Sequence, residues 1–208
     1  MERLLLFSEV DTDCIEYTDP VKGEDKIYRN IITYNSKKLF IQTSVLRNKN
    51  TVEGNFLTAE LNGTSKTLYN FFSEIDSLNI LAAKQYSKEW FGQDMSLEDL
   101  NEMYKNTIVP AKDSDSLPSI RIRISENVKV FDSDRKEAPL ALVNGNNITV
   151  ILSLKGLNFC ATAFNTNWEI AQIKVHTQLK PKKAVLNEYA FLSDPEPEFD
   201  IPTESDSE

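Results

Sequence analysis

The stretch Ser119-Ile120-Arg121-Ile122-Arg123-Ile124 constrains the chain more than any other. A β-branched apolar residue at every second position, with arginine between, is the pattern of a strand whose side chains alternate between two faces. One face belongs to a core; the other presents guanidinium groups that must stay exposed or paired. From Asn147 to His176 the chain reads as further strands, ITVILSL, LNFCATAF and WEIAQIKVH, separated by Lys155-Gly156 and by an Asn165-Thr166-Asn167 turn. Together these predict an antiparallel meander or small barrel with a basic and aromatic face.

Earlier in the chain, Leu4 to Phe7 opens a short strand or arm. Tyr28 to Tyr34 and Leu39 to Leu46, rich in β-formers and separated by Asn35-Ser36-Lys37-Lys38, read as a hairpin. Phe56 to Leu61 adds a strand. Helical spacing then takes over about residues 65–108: Leu68, Phe71, Phe72, Ile75, Leu78, Ala82 and Tyr86 recur near a 3.6-residue period, with a break expected near Asp76. Ser96 is placed to cap a second helix whose first turn carries Glu98 and Asp99, the sign the helix dipole favours. Between them Trp90-Phe91-Gly92 suits either a plug under a loop or a stacking contact. The expected fold is α+β and β-rich, an OB-like antiparallel barrel or meander with inserted helices over residues 1–183.

The net charge of −9 argues against a polyanion as partner until its distribution is followed. Leu186 to Glu208 holds eight acidic residues and no Lys or Arg, so residues 1–185 carry 23 basic against 24 acidic groups, a net of −1. A near-neutral body has room for a local basic groove. Residues 184–208 are Pro-rich and acidic, a composition that cannot bury enough apolar area to offset chain entropy, so the expectation there is a disordered tail. Within it Phe191, Leu192 and Phe199 suggest a docking segment, and Lys180-Pro181-Lys182-Lys183 precedes it as a basic cluster.

Catalytic equipment is scarce. His176 is the single histidine, Cys14 and Cys160 form no C-x-x-C pair, and neither a P-loop nor a G-x-G-x-x-G turn occurs. These features predict a non-enzymatic protein with no cofactor and no metal. No run reaches the roughly 18 apolar residues of a membrane span, so the expected setting is intracellular.

A binding constellation is better supplied. Single-stranded nucleic acid needs cations that follow phosphates and flat side chains on which bases stack. Arg121, Arg123, Lys129, Lys155 and Lys174 supply the charge; Phe159, Phe164 and Trp168 are the candidate platforms, each also suited to the core.

The R-I-R-I strand, the Ile148 to Leu154 strand, Lys155-Gly156-Leu157-x-Phe159 and Ile173-Lys174-Val175 resemble the C-terminal half of the OB-fold single-stranded DNA-binding proteins of large eukaryotic DNA viruses. The resemblance implies a five-stranded Greek-key barrel acting in viral-type DNA replication or repair, without a cofactor. The acidic tail is similar to those of phage and bacterial single-strand binders, which implies competition with DNA for the groove and recruitment of replication proteins; Glu208 departs from them in lacking a terminal aromatic. The main alternative is a structural or interaction protein, either a virion component or an acidic-tailed chaperone of basic proteins such as histones. A metal-dependent nuclease is a third, and needs carboxylates converging on one groove.

Overall fold

The computed structural model describes residues 3–48, 52–61, 66–111, 113 and 116–176. Its strands are β1 (Arg3–Leu6), β2 (Ile15–Tyr17), β3 (Val21–Lys22), β4 (Tyr28–Arg29), β5 (Ile32–Tyr34), β6 (Leu39–Gln42), β7 (Leu46–Arg47) and β8 (Phe56–Glu60), then β9 (Tyr104–Lys105), β10 (Ile108–Val109), β11 (Ser119–Phe131), β12 (Asn147–Phe159) and β13 (Phe164–His176). Three helices, α1 (Lys66–Gln85), α2 (Ser87–Phe91) and α3 (Leu97–Met103), lie between β8 and β9.

Five strand positions close on themselves. β6 and β7 both run antiparallel to β12, β7 passes to β8, β8 to β11, β11 lies parallel to β13, and β13 returns antiparallel to β12. In chain order the circuit is first, second, third, fifth, fourth and back to first, the connectivity of an OB barrel. Closure removes the open edges that a sheet of this length would leave. The period-two pattern of β11 is realised as drawn from the sequence: Ile120, Ile122 and Ile124 are buried, Arg121 and Arg123 exposed.

The inner face continues through Ile148, Val150, Leu152, Leu154, Phe164, Trp168, Ile170 and Ile173, and α1 packs Phe71 and Phe72 against Trp168. Ser96 caps α3, accepting from the Asp99 amide at 3.0 Å. Gly92, at φ 75°, ends α2 with its amide bonded to the Lys88 carbonyl. That left-handed conformation is one glycine adopts without cost.

Several sequence expectations are corrected. Lys155-Gly156 separates no strands: β12 runs through it, with the register against β13 slipping between Leu154 and Gly156 so that Lys155 is an extra, bulged residue. Asn165-Thr166-Asn167 is no turn either. It lies inside β13, and the reversal falls on the small residues 161–163, closed by the Cys160 amide on the Ala163 carbonyl at 2.8 Å. Tyr28 to Tyr34 and Leu39 to Leu46 do not pair as a hairpin; β4 and β6 each pair with β12, while β5 pairs with β2. α1 is unbroken at Asp76, because that carboxylate turns inward onto hydroxyl and amide donors. The basic cluster 180–183 and the acidic tail 184–208 lie outside the described residues.

The bulge fixes one glycine. Gly156 has φ 147°, and a Cβ there would stand 2.0 Å from the Asn30 carbonyl oxygen. Asn30 also clamps the next residue, receiving the Leu157 amide on its side chain at 2.6 Å and donating its own amide to the Leu157 carbonyl at 3.2 Å. Gly156→Ala must therefore displace the segment that carries β4. The expected cost is about 2–3 kcal/mol, a fall of roughly 4–12 °C in the thermal unfolding midpoint.

Candidate functional site

On the outside of the barrel, a groove of ≈ 530 Å³ runs between the β3–β4 segment, the start of β8, β11, the segment from β9 to β10 and the hairpin end of β12 and β13. Among the described residues four cations line it: Arg29, Lys105, Arg121 and Arg123. Alternation explains their convergence. Arg121 stands opposite Thr58 and Arg123 opposite Phe56 on β8, all on the face turned away from the isoleucine core. The Arg121 guanidinium lies over the Phe56 ring, 4.2 Å from its centroid. This cation–π contact holds a charged plane flat on the surface, and Phe56, 36% exposed, forms its base.

The cations differ in freedom. Among the described residues, no carboxylate is ion-paired with Lys105, Arg121 or Arg123. Arg29 is engaged. Its fork donates to both oxygens of Asp25, at 2.8 and 2.5 Å, and its Nε donates to Asn158 Oδ1 at 3.1 Å. The Arg29 guanidinium draws the Asp25 carboxyl down to about 2, so it is ionised at any ordinary pH. Asp25 is the one acid lining the groove among the described residues. Asn158, Asn165 and Asn167 complete the wall with amides, of which Asn165 donates to the Thr166 carbonyl at 2.9 Å.

The floor is anchored from beneath. Tyr104, Thr107 and Thr166 bond to Asp76 of α1: the Tyr104 hydroxyl donates to Asp76 Oδ1 at 2.6 Å, the Thr107 amide to Oδ2 at 2.7 Å and the Thr107 hydroxyl to Oδ1 at 2.7 Å. Asn79 donates to Tyr104 and Thr166 and accepts from the Tyr17 hydroxyl. Burial raises the Asp76 carboxyl above the usual carboxylate range, and the donors only partly offset it. This network fixes residues 104–107, which carry Lys105 and Asn106 to the groove.

The cations drawn from the sequence stand in four places. Arg121 and Arg123 sit together in the groove. Lys155 projects from the bulge and pairs with Glu169 at 3.3 Å. Lys174 lies farther along β13, in a hollow of ≈ 380 Å³ with Gln42, Phe131, Arg135, Thr149 and His176, five residues and about 16 Å from the level of Arg123. Lys129 is exposed on β11, opposite Gln172. The His176 ring, bonded to Thr149 at 2.9 Å, is held below its ordinary pKa by burial and then by the charge of Lys174, so it adds little charge at pH 7.

The aromatic candidates are largely core, although Trp168 also borders the groove. Phe164 and Trp168 are core residues, 1% and 5% exposed, with Trp168 packed against Phe71 and Phe72. Phe159 is also buried, stacked on Phe164 at 5.8 Å. Each takes the inward parity of its strand. Phe56 was the aromatic overlooked, and a signal for it existed: Leu57, Ala59 and Leu61 are the apolar parity of β8, which leaves Phe56 on the outer face. Arg29 and Lys105 had none, since two-residue strands carry no periodicity. Among the described residues, no three His, Cys, Asp or Glu side chains come together to hold a metal ion, and no helix is long and apolar enough to cross a membrane.

The fold is thus a β-rich OB-like barrel with inserted helices and a cation-lined groove on its outer face. By its sequence over residues 50–193 the chain belongs to DUF5871, a family of unknown function. No curated protein matches it. Among solved structures it is similar to the single-stranded DNA-binding protein from bacteriophage Enc34, with TM-score 0.47 and 12% identity over 78% of this chain and 90% of that one. For the same phage protein in complex with ssDNA the values are 0.46 and 13%, over 79% and 97%. For gp2.5, a single-stranded DNA-binding protein encoded by bacteriophage T7, they are 0.45 and 10%, over 69% and 96%.

Proposed function

We propose that the protein is a non-enzymatic single-stranded DNA-binding protein acting in DNA replication or repair, and that the groove over β8 and β11 is its binding face. The observation that carries this reading is the position of the free cations. In an OB barrel the outer face of the second and third strands, with the loops between first and second and between fourth and fifth, is where oligonucleotides lie. Arg121, Arg123 and Phe56 stand on that face, and Asn158 and Asn165 flank the fourth-to-fifth turn. Phosphates would follow Lys105, Arg121 and Arg123, with Lys155, Lys129 and Lys174 extending the track along the same strands. A base would stack on the outer plane of the Arg121 guanidinium. The tail from Leu186 acts in this reading as a competing polyanion and a docking segment for replication proteins.

The test is fluorescence anisotropy of a labelled oligodeoxynucleotide against the full chain and against a chain ending at Val185, across a range of salt. Binding should weaken with a log–log slope of about −0.7 per phosphate neutralised, and tighten on truncation. A flat salt response removes the reading. Retention of a basic protein such as a histone by the full chain alone, with no oligonucleotide bound by either form, supports the chaperone alternative.

Asp25 sharpens the same test. Its carboxylate occupies the Arg29 fork as a phosphate would, and adds a negative charge to an anion site. Asp25→Asn should tighten binding about fivefold at low salt, roughly the value of one unit charge at 4 Å in water, and steepen the salt slope by about 0.7.

A further inference from the structure

The β4–β12 ladder opens on two sides, and the groove occupies one of them. Register pairs Asn158 with Arg29 and Phe159 with Tyr28. Strand alternation sends Arg29 and Asn158 towards the groove, and Tyr28 and Phe159 towards a separate hollow of ≈ 480 Å³. That hollow is walled by Ile27, Tyr28, Trp90, Phe91, Met103 and Phe159, and Lys26 also lines it. Ile27 belongs to both concavities, so the two meet there.

Its walls are organised as a ring cluster. Trp90 stacks on Tyr86 at 5.4 Å and meets Phe159 edge-on at 5.5 Å, and Phe91 meets Phe159 edge-on at 5.7 Å. Trp90 and Phe91 are nevertheless only half-buried, and Tyr28 is 45% exposed. A core would have closed over such surface; here it stays open beside a polyanion track.

We propose that this hollow is a nucleobase-binding subsite, which takes one base of the strand whose phosphates lie in the adjoining groove. The proposal rests on the single-strand reading above. A base matches the walls because it is a flat apolar face with a polar edge, and aromatic side chains accept any base on that face. Continuity at Ile27 and charge favour it over an apolar peptide: Lys26 lines the hollow, and on the groove side, where Asp25 holds the fork of Arg29, the strand's backbone runs on to Lys105, Arg121 and Arg123.

The two tryptophans give the test its readout: Trp90, half-buried, lines the hollow, while Trp168, 5% exposed and packed on Phe71 and Phe72, borders the groove with little accessible surface. Oligodeoxythymidylate added to the full chain should quench tryptophan emission, and Trp90→Phe should remove most of that quench at saturating strand, leaving only what Trp168 contributes from the groove. Tyr28→Ala, at an exposed position, should weaken oligodeoxythymidylate about tenfold while leaving the salt slope, and the affinity for an abasic strand of equal length, unchanged. Three results overturn the subsite alone: a quench at saturation undiminished in Trp90→Phe, equal weakening of both strands by Tyr28→Ala, or an abasic strand that binds the wild type as tightly as its base-bearing counterpart. The last would leave the hollow to an apolar protein partner. Failure of the wild type to bind any oligonucleotide removes the single-strand reading itself, and this one with it.

Discussion

Asp76→Ala is expected to destabilise the protein by about 3–4 kcal/mol, a drop of roughly 6–16 °C in the unfolding midpoint, whereas Asp76→Asn should cost about 1 kcal/mol. The alanine leaves the Tyr104 hydroxyl and the Thr107 amide and hydroxyl without their acceptor in a buried site. The asparagine can keep most of the network. Its carbonyl can face the Thr107 amide, which cannot turn, and its amino group can face the Tyr104 and Thr107 hydroxyls, which can rotate to accept. The two variants also separate by pH. Burial raises the native-state pKa of Asp76, so the folded protein binds this proton more readily than the unfolded chain does. Its contribution to stability therefore grows as pH falls through that raised value towards about 3.9, and is lost as pH rises. Denaturant melts of wild type and Asp76→Asn across this window should show wild type gaining relative to the variant on acidification. Subtracting the two curves removes the opposite trend of Asp25, whose pKa is lowered. A difference that stays constant with pH would mean that Asp76 is not strained by its burial.

Local rules reached part of this architecture. The alternation in β11 needed only its six residues, and the cap on α3 only Ser96 and the acids after it, so both were legible. What escaped was set by contacts distant in sequence. Gly156 looks like a turn until Asn30, more than a hundred residues earlier, is seen pressed against it. Asp76 looks like a helix breaker until Tyr104, Thr107 and Thr166 supply the donors that make it a core residue. The candidate site divides likewise. Arg121 and Arg123 could be assigned an exposed face because the isoleucines claimed the other. Phe159, Phe164 and Trp168 could not be, since aromatic residues suit a core and a stacking face equally, and only α1 and α2 packing on the barrel decides between them.

Reversing the charge of the outer face of β11 should have the largest effect on binding. Arg121→Glu with Arg123→Glu is expected to weaken an oligodeoxynucleotide at least a hundredfold at low salt, with the unfolding midpoint nearly unchanged. Both side chains are exposed and form no ion pair among the described residues, so their loss removes only the contact of Arg121 with Phe56, worth about 0.5–1 kcal/mol. Binding loses more, because two phosphate contacts go and two repulsive charges take their place. The salt slope separates these effects: two lost contacts should make it shallower by about 1.4, whatever the fall in affinity. Lys38→Glu, in the exposed turn before β6 and outside the groove, changes the net charge by the same amount as either single reversal. It controls for the long-range field, and should shift affinity by less than about twofold at moderate salt, where charges more than about 10 Å apart are screened. If the double variant kept the wild-type slope, the phosphate path would have to leave β11, and the cations around Lys174 at the far end of β13 would become the place to look for it.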